Sequence, residues 1–335
     1  MTILDSCIES CREKPGTVVF PDCLDQRVLV AATRLAKEKV ASPLFVQSPF
    51  AVKDKMLNSP KRLSGFTVID HTNKDVLEEN IQTYYEIQDK SGKPVTMEDA
   101  EKAMRCNLAA SAMLVRRGYV EVGVAGNLSS TAAVLKAGIK IIPRKQKTIS
   151  SFFLMISPNG ENQYIFSDCA VVPEPSADTF ADIAIASAEK ARNLLKQEPR
   201  VAMLSFSTKG SSDHARAKLV REAVEKIRSR APDLLVDGEL QLDAAIIPSV
   251  AAMKAPASLI EGRANVLVFP SLEAGNIAYK MLQRLGGYTA IGPFLQGFTG
   301  GWHDLSRGCS SEDIFNVAVL GICMQRGTMI TPTNA

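Results

Sequence analysis

Near its carboxyl end the chain reads His303-Asp304-Leu305-Ser306-Arg307-Gly308-Cys309-Ser310-Ser311-Glu312-Asp313, which puts a hydroxyl, a guanidinium and a carboxylate within two helical turns. Such a set has the parts to take a proton from a thiol and to hold an oxyanion. Ser310, with Asp313 three positions on, reads as a helix start, leaving Ser306 and Arg307 on a loop beside a positive helix terminus, where anionic substrates are favoured. A plainer reading uses the same residues: Asp313 as the acidic half of a capping box, Arg307 as a surface cation. Local spacing does not separate the two.

Four further loops follow apolar runs and could face a ligand. Ala125-Gly126-Asn127-Leu128-Ser129-Ser130-Thr131 ends a buried run and starts a helix, with Ser130 or Thr131 as cap or as ligand hydroxyl. Ser207-Thr208-Lys209-Gly210-Ser211-Ser212 offers hydroxyls, backbone N–H groups and a lysine suited to phosphate, though it lacks the glycine spacing of a Walker A loop. Asp237-Gly238-Glu239-Leu240-Gln241-Leu242-Asp243 places three carboxylates beyond a run; it reads as a turn and helix start in preference to a cation site or an acid/base pair. In Leu272 to Lys280, Asn276 and Lys280 lie along a helix, and Lys280 either reaches a phosphate or is solvated.

These loops need a frame to hold them. Short runs rich in Val, Ile and Phe at 17–20, 43–46, 66–69, 120–125, 151–156, 164–167, 201–206, 234–237, 265–269 and 290–294 predict strands. Helical periodicity marks 25–38, 74–90, 97–117, 176–195, 212–228, 273–285 and 310–325. Several runs are too uniformly apolar to face water on either side, so the alternation predicts an α/β protein of mostly parallel, doubly wound sheets. Ligands in such sheets bind beyond the carboxyl ends of strands. The polar, basic stretch 143–147 is the natural domain crossing.

Composition narrows the classes. The 335 residues are 46% hydrophobic and 22% charged, enough for a large core in two domains. A formal charge of +3, from 39 basic and 36 acidic side chains, gives no global field for nucleic acid or a membrane surface. Seven cysteines without C-x-x-C spacing argue against a disulfide framework and a zinc site, and for a reducing cytoplasm. No apolar run approaches the roughly 18 residues of a membrane span, and no secretion signal opens the chain. Ile3, Leu4 and Ile8 predict one short amphipathic helix, packed in preference to a docking peptide.

Taken together, residues 164–315 resemble the phosphate acetyl/butyryl-transferase family. The resemblance is carried by Asp168-Cys169-Ala170, Glu198-Pro199-Arg200-Val201-Ala202-Met203-Leu204-Ser205, 233–245, Lys254-Ala255-Pro256, Gly292-Pro293, Gln296-Gly297 and Asp304-Leu305-Ser306-Arg307-Gly308. Val19 to Leu29 is similar too, and its Leu24-Asp25-Gln26-Arg27 form, with the loop 125–131, looks most like the ethanolamine-utilisation branch. The resemblance implies two α/β domains around a cleft, with the architecture of isocitrate and isopropylmalate dehydrogenases: a discontinuous first domain, 1–150 with 296–335, and a second, 151–295. It implies reversible transfer of acetyl between coenzyme A and inorganic phosphate. No cofactor and no metal are required, coenzyme A being a substrate. A cytoplasmic homodimer is the expected form, and the branch likeness adds an expectation of bacterial microcompartment association.

The resemblance also assigns roles. Asp313 becomes the base that takes the CoA thiol proton, because a thiol of pKa roughly 8.5 is mostly protonated at neutral pH and the thiolate is the nucleophile. Arg307 stabilises the oxyanion, Ser306 orients the thiol or the phosphoryl oxygens, and attack in a ternary complex needs no acyl-enzyme. The expected substrate-binding residues are Ser130, Thr131, Lys136, Ser207, Thr208, Lys209, Gly210, Asn276 and Lys280. Lys136 stands where the family usually has an arginine, the 143–147 loop is short, and Cys106-Asn107 replaces the usual Asp-Pro. Cys169 and Cys309 read as small buried thiols and His303 as a rim histidine. A larger acyl group such as butyryl and a non-catalytic regulatory module are the alternative readings. A dehydrogenase is disfavoured by the missing glycine-rich fingerprint.

Overall fold

A computed structural model describes residues 2–58 and 63–327; residues 1, 59–62 and 328–335, all assigned from sequence to the first domain, lie outside the described residues. The chain divides into two units, Met1–Lys145 with Phe298–Ala335, and Gln146–Gly297. Ser150, taken from sequence as the end of the first domain, already opens a strand of the second unit.

The first unit runs α1 (Ile3–Glu13), β1 (Gly16–Phe20), α2 (Gln26–Lys37), β2 (Ala41–Val46), α3 (Pro49–Leu57), β3 (Thr67–Ile69), α4 (Lys74–Lys90), α5 (Met97–Met104), α6 (Asn107–Arg116), β4 (Val122–Ala125) and α7 (Thr131–Ile141). The second runs β5 (Ser150–Ile156), β6 (Gln163–Ser167), α8 (Ala177–Leu195), β7 (Arg200–Leu204), α9 (Ala215–Arg230), β8 (Leu235–Leu240), α10 (Leu242–Ile246), α11 (Pro248–Lys254), β9 (Val266–Val268), α12 (Leu272–Arg284) and β10 (Thr289–Gln296). The chain then returns to the first unit as β11 (Gly301–Asp304) and α13 (Ser311–Arg326).

The first sheet has the order β11-β4-β1-β2-β3 and every pair in it is parallel. From β1 the chain winds outward through β2 and β3, then reappears on the other side of β1 as β4. The order therefore reverses between β1 and β4, the place where open α/β sheets bind ligands. The apolar helix α13, buried from Ile314 to Cys323, packs against α1, α2, β4 and β11. Cys7 and Cys11 of α1 are buried there, with Cys11 Sγ 3.6 Å from Cys323 Sγ, so α1 is a packed helix. Trp302 seats β11: its ring is fully buried, its Nε1 donates to the Val134 carbonyl at 2.9 Å, and a side chain at Gly123 would collide with it.

The second sheet has the order β10-β5-β6-β9-β7-β8; β6, β9, β7 and β8 are parallel, while β5 is antiparallel to both β6 and β10. Its core includes Phe153 stacked on Tyr279 at 4.0 Å and Phe166 against Phe269 at 5.1 Å. Among the described residues no helix is long and apolar enough to cross a membrane.

Three sequence expectations change. The single helix expected over 97–117 breaks at Arg105-Cys106, where Cys106 is extended and His71 Nε2 donates to the Arg105 carbonyl at 3.0 Å, compensating the interrupted ladder. Residues 301–304, assigned to no element from sequence, form β11. Asp237 and Glu239, expected beyond a strand, lie inside β8.

Candidate active site

The carboxyl ends of β1, β4 and β11 lie side by side, and the loops leaving them interlock. After β1, Asp22 collects the loop that follows β4. Its Oδ2 accepts the N–H groups of Gly126, Leu128 and Ser129 at 3.1, 3.2 and 3.1 Å, and its Oδ1 accepts the Ser129 hydroxyl at 2.7 Å. Gly126 has φ +99°, and a Cβ on it would meet the Asp304 carboxylate and the Leu305 backbone. The turn therefore needs glycine both for its conformation and for close approach. Ser130 caps α7, its hydroxyl accepting from Ala133 N–H at 3.2 Å, and Thr131 donates to Asp304 Oδ2 at 2.6 Å.

Arg27, in the first turn of α2, clamps the loop after β11. It donates to the carbonyls of Arg307 and Cys309, both at 2.8 Å, to the Asn127 carbonyl at 3.0 Å, and to Asp25 at 2.6 Å. Burial works against the Asp25 charge, but the Arg27 guanidinium more than offsets it and holds Asp25 below the usual carboxylate range. Both members of the pair thus stay charged and the clamp stays set. From it projects Arg307, exposed, whose guanidinium pairs with no carboxylate among the described residues. Ser306 is exposed beside it, its hydroxyl accepting from Gly308 N–H at 3.2 Å.

Asp313 does form a capping box. Its Oδ2 accepts from Ser310 N–H at 2.8 Å and from the Ser310 hydroxyl at 2.9 Å, while its own N–H donates to Ser310 Oγ at 3.1 Å. Only one carboxylate oxygen is used in this way. Arg34 of α2 pairs with Glu312 and lies 3.8 Å over the Phe315 ring, fixing the start of α13 against α2.

Asp304 is the most perturbed acid here: 2% exposed, and pushed by burial up to about 6 although Thr131 donates to it. Burial likewise pushes the Cys309 thiol up to about 11 and Cys169 well above its ordinary value, so both stay protonated thiols at neutral pH. His303, expected on a rim, is buried against Gly321 of α13.

The structure thus gathers Ser130, Thr131, Ser306, Arg307 and Asp313 in the first unit. Lys136 lies further along α7. Five residues past Thr131 puts it about 140° round α7, where it lines a cavity of about 460 Å³ with Tyr84, Asp99, Lys102 and Lys140. Asp22, Arg27 and Asp304 were given no role from sequence, although the stretches that carry the family resemblance contain all three.

In the second unit the loop 207–212 is wound around a carboxylate of its own. Glu239 Oε1 accepts from Ser207 Oγ, Gly210 N–H and Arg221 Nη1, each at 2.8 Å. Burial pushes the Glu239 carboxyl up, but these three donors more than offset it and hold it below the usual range. Lys209 pairs with buried Asp237, which also meets Arg228 at 3.3 Å. Thr208 is buried, its hydroxyl facing Gln241 at 3.3 Å. Ser207, Lys209 and Gly210, expected to bind phosphate, thus face carboxylates of the protein itself, and Thr208 faces Gln241. The third acid of the adjacent segment, Asp243, pairs with Lys254 at 2.7 Å. Asn276 donates to the Cys169 carbonyl at 3.1 Å, and Lys280 is exposed, 5.9 Å above the Tyr279 ring.

Residues 2–322 match the family model described as phosphate acetyl/butaryl transferase. The chain is 41% identical over 325 residues to a phosphate acetyltransferase of Thermoanaerobacterium thermosaccharolyticum, covering 95% of this chain and 97% of that one. Among solved structures it is similar to the EutD phosphotransacetylase from Staphylococcus aureus, with a TM-score of 0.85 and 37% identity over 96% of this chain and 98% of that one. A phosphotransacetylase from Streptococcus pyogenes gives a TM-score of 0.88 and 37% identity over 97% and 99%.

Proposed function

The chain belongs to the phosphate acetyl/butaryl transferase family and is an acyltransferase, and from that premise we propose how its own residues carry the reaction acetyl-CoA + phosphate ⇌ acetyl phosphate + CoA. In the direction of CoA acylation, the Asp313 oxygen not used by Ser310 takes the thiol proton, and the thiolate attacks the carbonyl carbon of acetyl phosphate. Negative charge gathers on the carbonyl oxygen and is met by Arg307. The tetrahedral species collapses with phosphate leaving, and Arg307 stays with the anion. Ser306 orients the sulfur or the phosphoryl oxygens. With Cys169 and Cys309 held as thiols, attack is direct and no acyl-enzyme forms.

The observation that carries this reading is the Arg27 clamp. It fixes the backbone of Arg307 and Cys309 with two 2.8 Å bonds while the Arg307 side chain makes no internal ion pair among the described residues. A cation held by its backbone and left without a partner is prepared for an anion. The test is thiol release from acetyl-, propionyl- and butyryl-CoA on adding phosphate. Acetyl-CoA should react fastest; absence of phosphate-dependent thiol release would overturn the reading, and a preference for butyryl-CoA would revise the acyl group.

The setting is proposed on narrower support. The Leu24 to Arg27 form and the 125–131 loop favour a role in ethanolamine utilisation in the cytoplasm, and the same likeness is the support for microcompartment association, since the apolar side of α1 is covered by α13. A homodimer is supported by Ile277 and Met281 of α12 and Leu285 at its C-cap, spaced four apart and 59%, 55% and 83% exposed. Met281→Glu should shift the elution volume to that of a monomer.

A further inference from the structure

We propose that Asp304 and Thr131 select a protonated oxyanion, so that the phosphate subsite takes monohydrogen phosphate and rejects sulfate. The inference rests on the reading above, in that it places Thr131 against phosphate.

A threonine hydroxyl has one proton to give and two lone pairs. Thr131 gives its proton to Asp304 Oδ2 at 2.6 Å. Towards a ligand the hydroxyl therefore only accepts. Sulfate, which carries no proton at neutral pH, meets it lone pair against lone pair; monohydrogen phosphate has one P–OH that donates.

Three features keep Thr131 in that state. Asp304 is 2% exposed, its Oδ1 meets no other side-chain donor among the described residues, and the Leu305 N–H helps to keep the carboxylate charged. Gly126 lies hard against that oxygen, with no room for a Cβ, so the carboxylate cannot swing away. The carboxyl, although pushed up to about 6, is still mostly ionised at neutral pH and acts as an acceptor.

The neighbouring amides strengthen the selection. Backbone N–H groups at a strand-to-helix turn would bind either anion, but those of Gly126, Leu128 and Ser129 are already held by Asp22. With these indiscriminate donors taken up, Thr131 carries more of the discrimination between the two anions, while the Arg307 charge attracts both. A buried polar group that a competitor cannot satisfy is the strong form of specificity.

The experiment measures the phosphate KM and the competitive sulfate Ki in the thiol-release assay at pH 7.5, using the full chain. The sulfate Ki should exceed the phosphate KM at least about tenfold. In Asp304→Asn the amide N–H can donate to Thr131 and release its proton towards the ligand. The phosphate KM should then rise and the sulfate Ki fall, shrinking the ratio about tenfold, with the acetyl-CoA KM unchanged. Thr131→Ser should keep the ratio and Thr131→Val should lose it; this pair decides the matter if circular dichroism shows Asp304→Asn unfolded. Equal changes for both anions, as a loosened loop would give, or a wild-type ratio near one, would overturn the selection. A Thr131→Val variant with unchanged phosphate KM would instead remove Thr131 from the subsite, while phosphate-dependent thiol release itself stood.

Discussion

The loops after β4 and β7 carry similar sequence signals and do different work. Both combine glycine, serine and threonine before a helix, and both wrap backbone N–H groups around a carboxylate of the protein: Asp22 in the first unit, Glu239 in the second. In the second unit the enclosure is complete, because Ser207, Lys209 and Arg221 also turn inward, onto Glu239 and Asp237. In the first it goes no further than the amides and the Ser129 hydroxyl. Thr131 keeps lone pairs available, and Arg307, on the loop next to it, pairs with no carboxylate among the described residues. An anion-binding composition thus says that a carboxylate or phosphate will be held, and packing decides whose.

The widest gap between the two regions should appear in turnover. Arg307→Ala removes the unpaired cation and should lower kcat about 100- to 1,000-fold with the fold intact. Asp313→Asn should lower it by at least as much, with little change in CoA affinity. Lys209→Ala deletes the same charge from the second loop. It should leave kcat within about threefold and lose about 1 to 3 kcal/mol of stability, because among the described residues buried Asp237 then keeps Arg228 as its one cationic partner. Steady-state kinetics with urea unfolding would read both quantities, and a large kcat loss in Lys209→Ala would break the contrast.

Glu239→Gln sharpens it from the other side. The substitution leaves Arg221 facing a neutral, buried amide and should cost about 3 kcal/mol in urea unfolding, with the phosphate KM unchanged. A shifted KM with unaltered stability would return the 207–212 loop to the substrate.

The acids of the two regions also differ in how they respond to pH. The folded-state pKa of Asp304 is raised from 3.8 to about 6, so the folded chain binds its proton more readily than the unfolded one. Its contribution is most favourable below about pH 4 and is lost as pH rises through 6, by up to about 3 kcal/mol. Asp304→Asn should flatten the stability profile in that window. Glu239 is held below 4.5, so its contribution is present above that pH and is lost on acidification through its folded value. Thermal unfolding should show a falling limb between about pH 4 and 6 that Asp304→Asn removes, and an opposite slope below pH 4.5 that Glu239→Gln removes.

These contrasts also mark how far the sequence could be read. Uniformly apolar runs located the buried strands, since a strand covered on both faces carries its signal in its own residues. β11 escaped because Gly301-Trp302-His303-Asp304 is strand only through its pairing with β4 and the space left for Trp302 by Gly123. α3 has little amphipathic character to detect, and α10 and α11 are too short to show a period. Asp237 and Glu239 passed for loop residues because buried carboxylates inside a strand make sense only once Lys209, Arg221 and Arg228 are seen against them. The site divides in the same way. Ser306, Arg307 and Asp313 lie close in sequence and could be proposed from it. Asp22, Arg27 and Asp304 act on partners about 100 to 280 residues away, which no local pattern encodes.

The smallest expected effect tests whether Asp313 does one job or two. Ser310→Ala removes the hydroxyl that bonds both the Asp313 N–H and its Oδ2, and loss of such a cap costs about 1 kcal/mol. The Ser310 N–H still donates to Oδ2 at 2.8 Å, so the carboxylate stays near its place and kcat should fall only about three- to tenfold. Asp313→Asn is the converse: its amide oxygen can still accept from Ser310, so stability should hold within about 1 kcal/mol while turnover collapses. If the two variants lose equal stability and equal turnover, the capping box alone accounts for Asp313, and the thiol proton must go elsewhere.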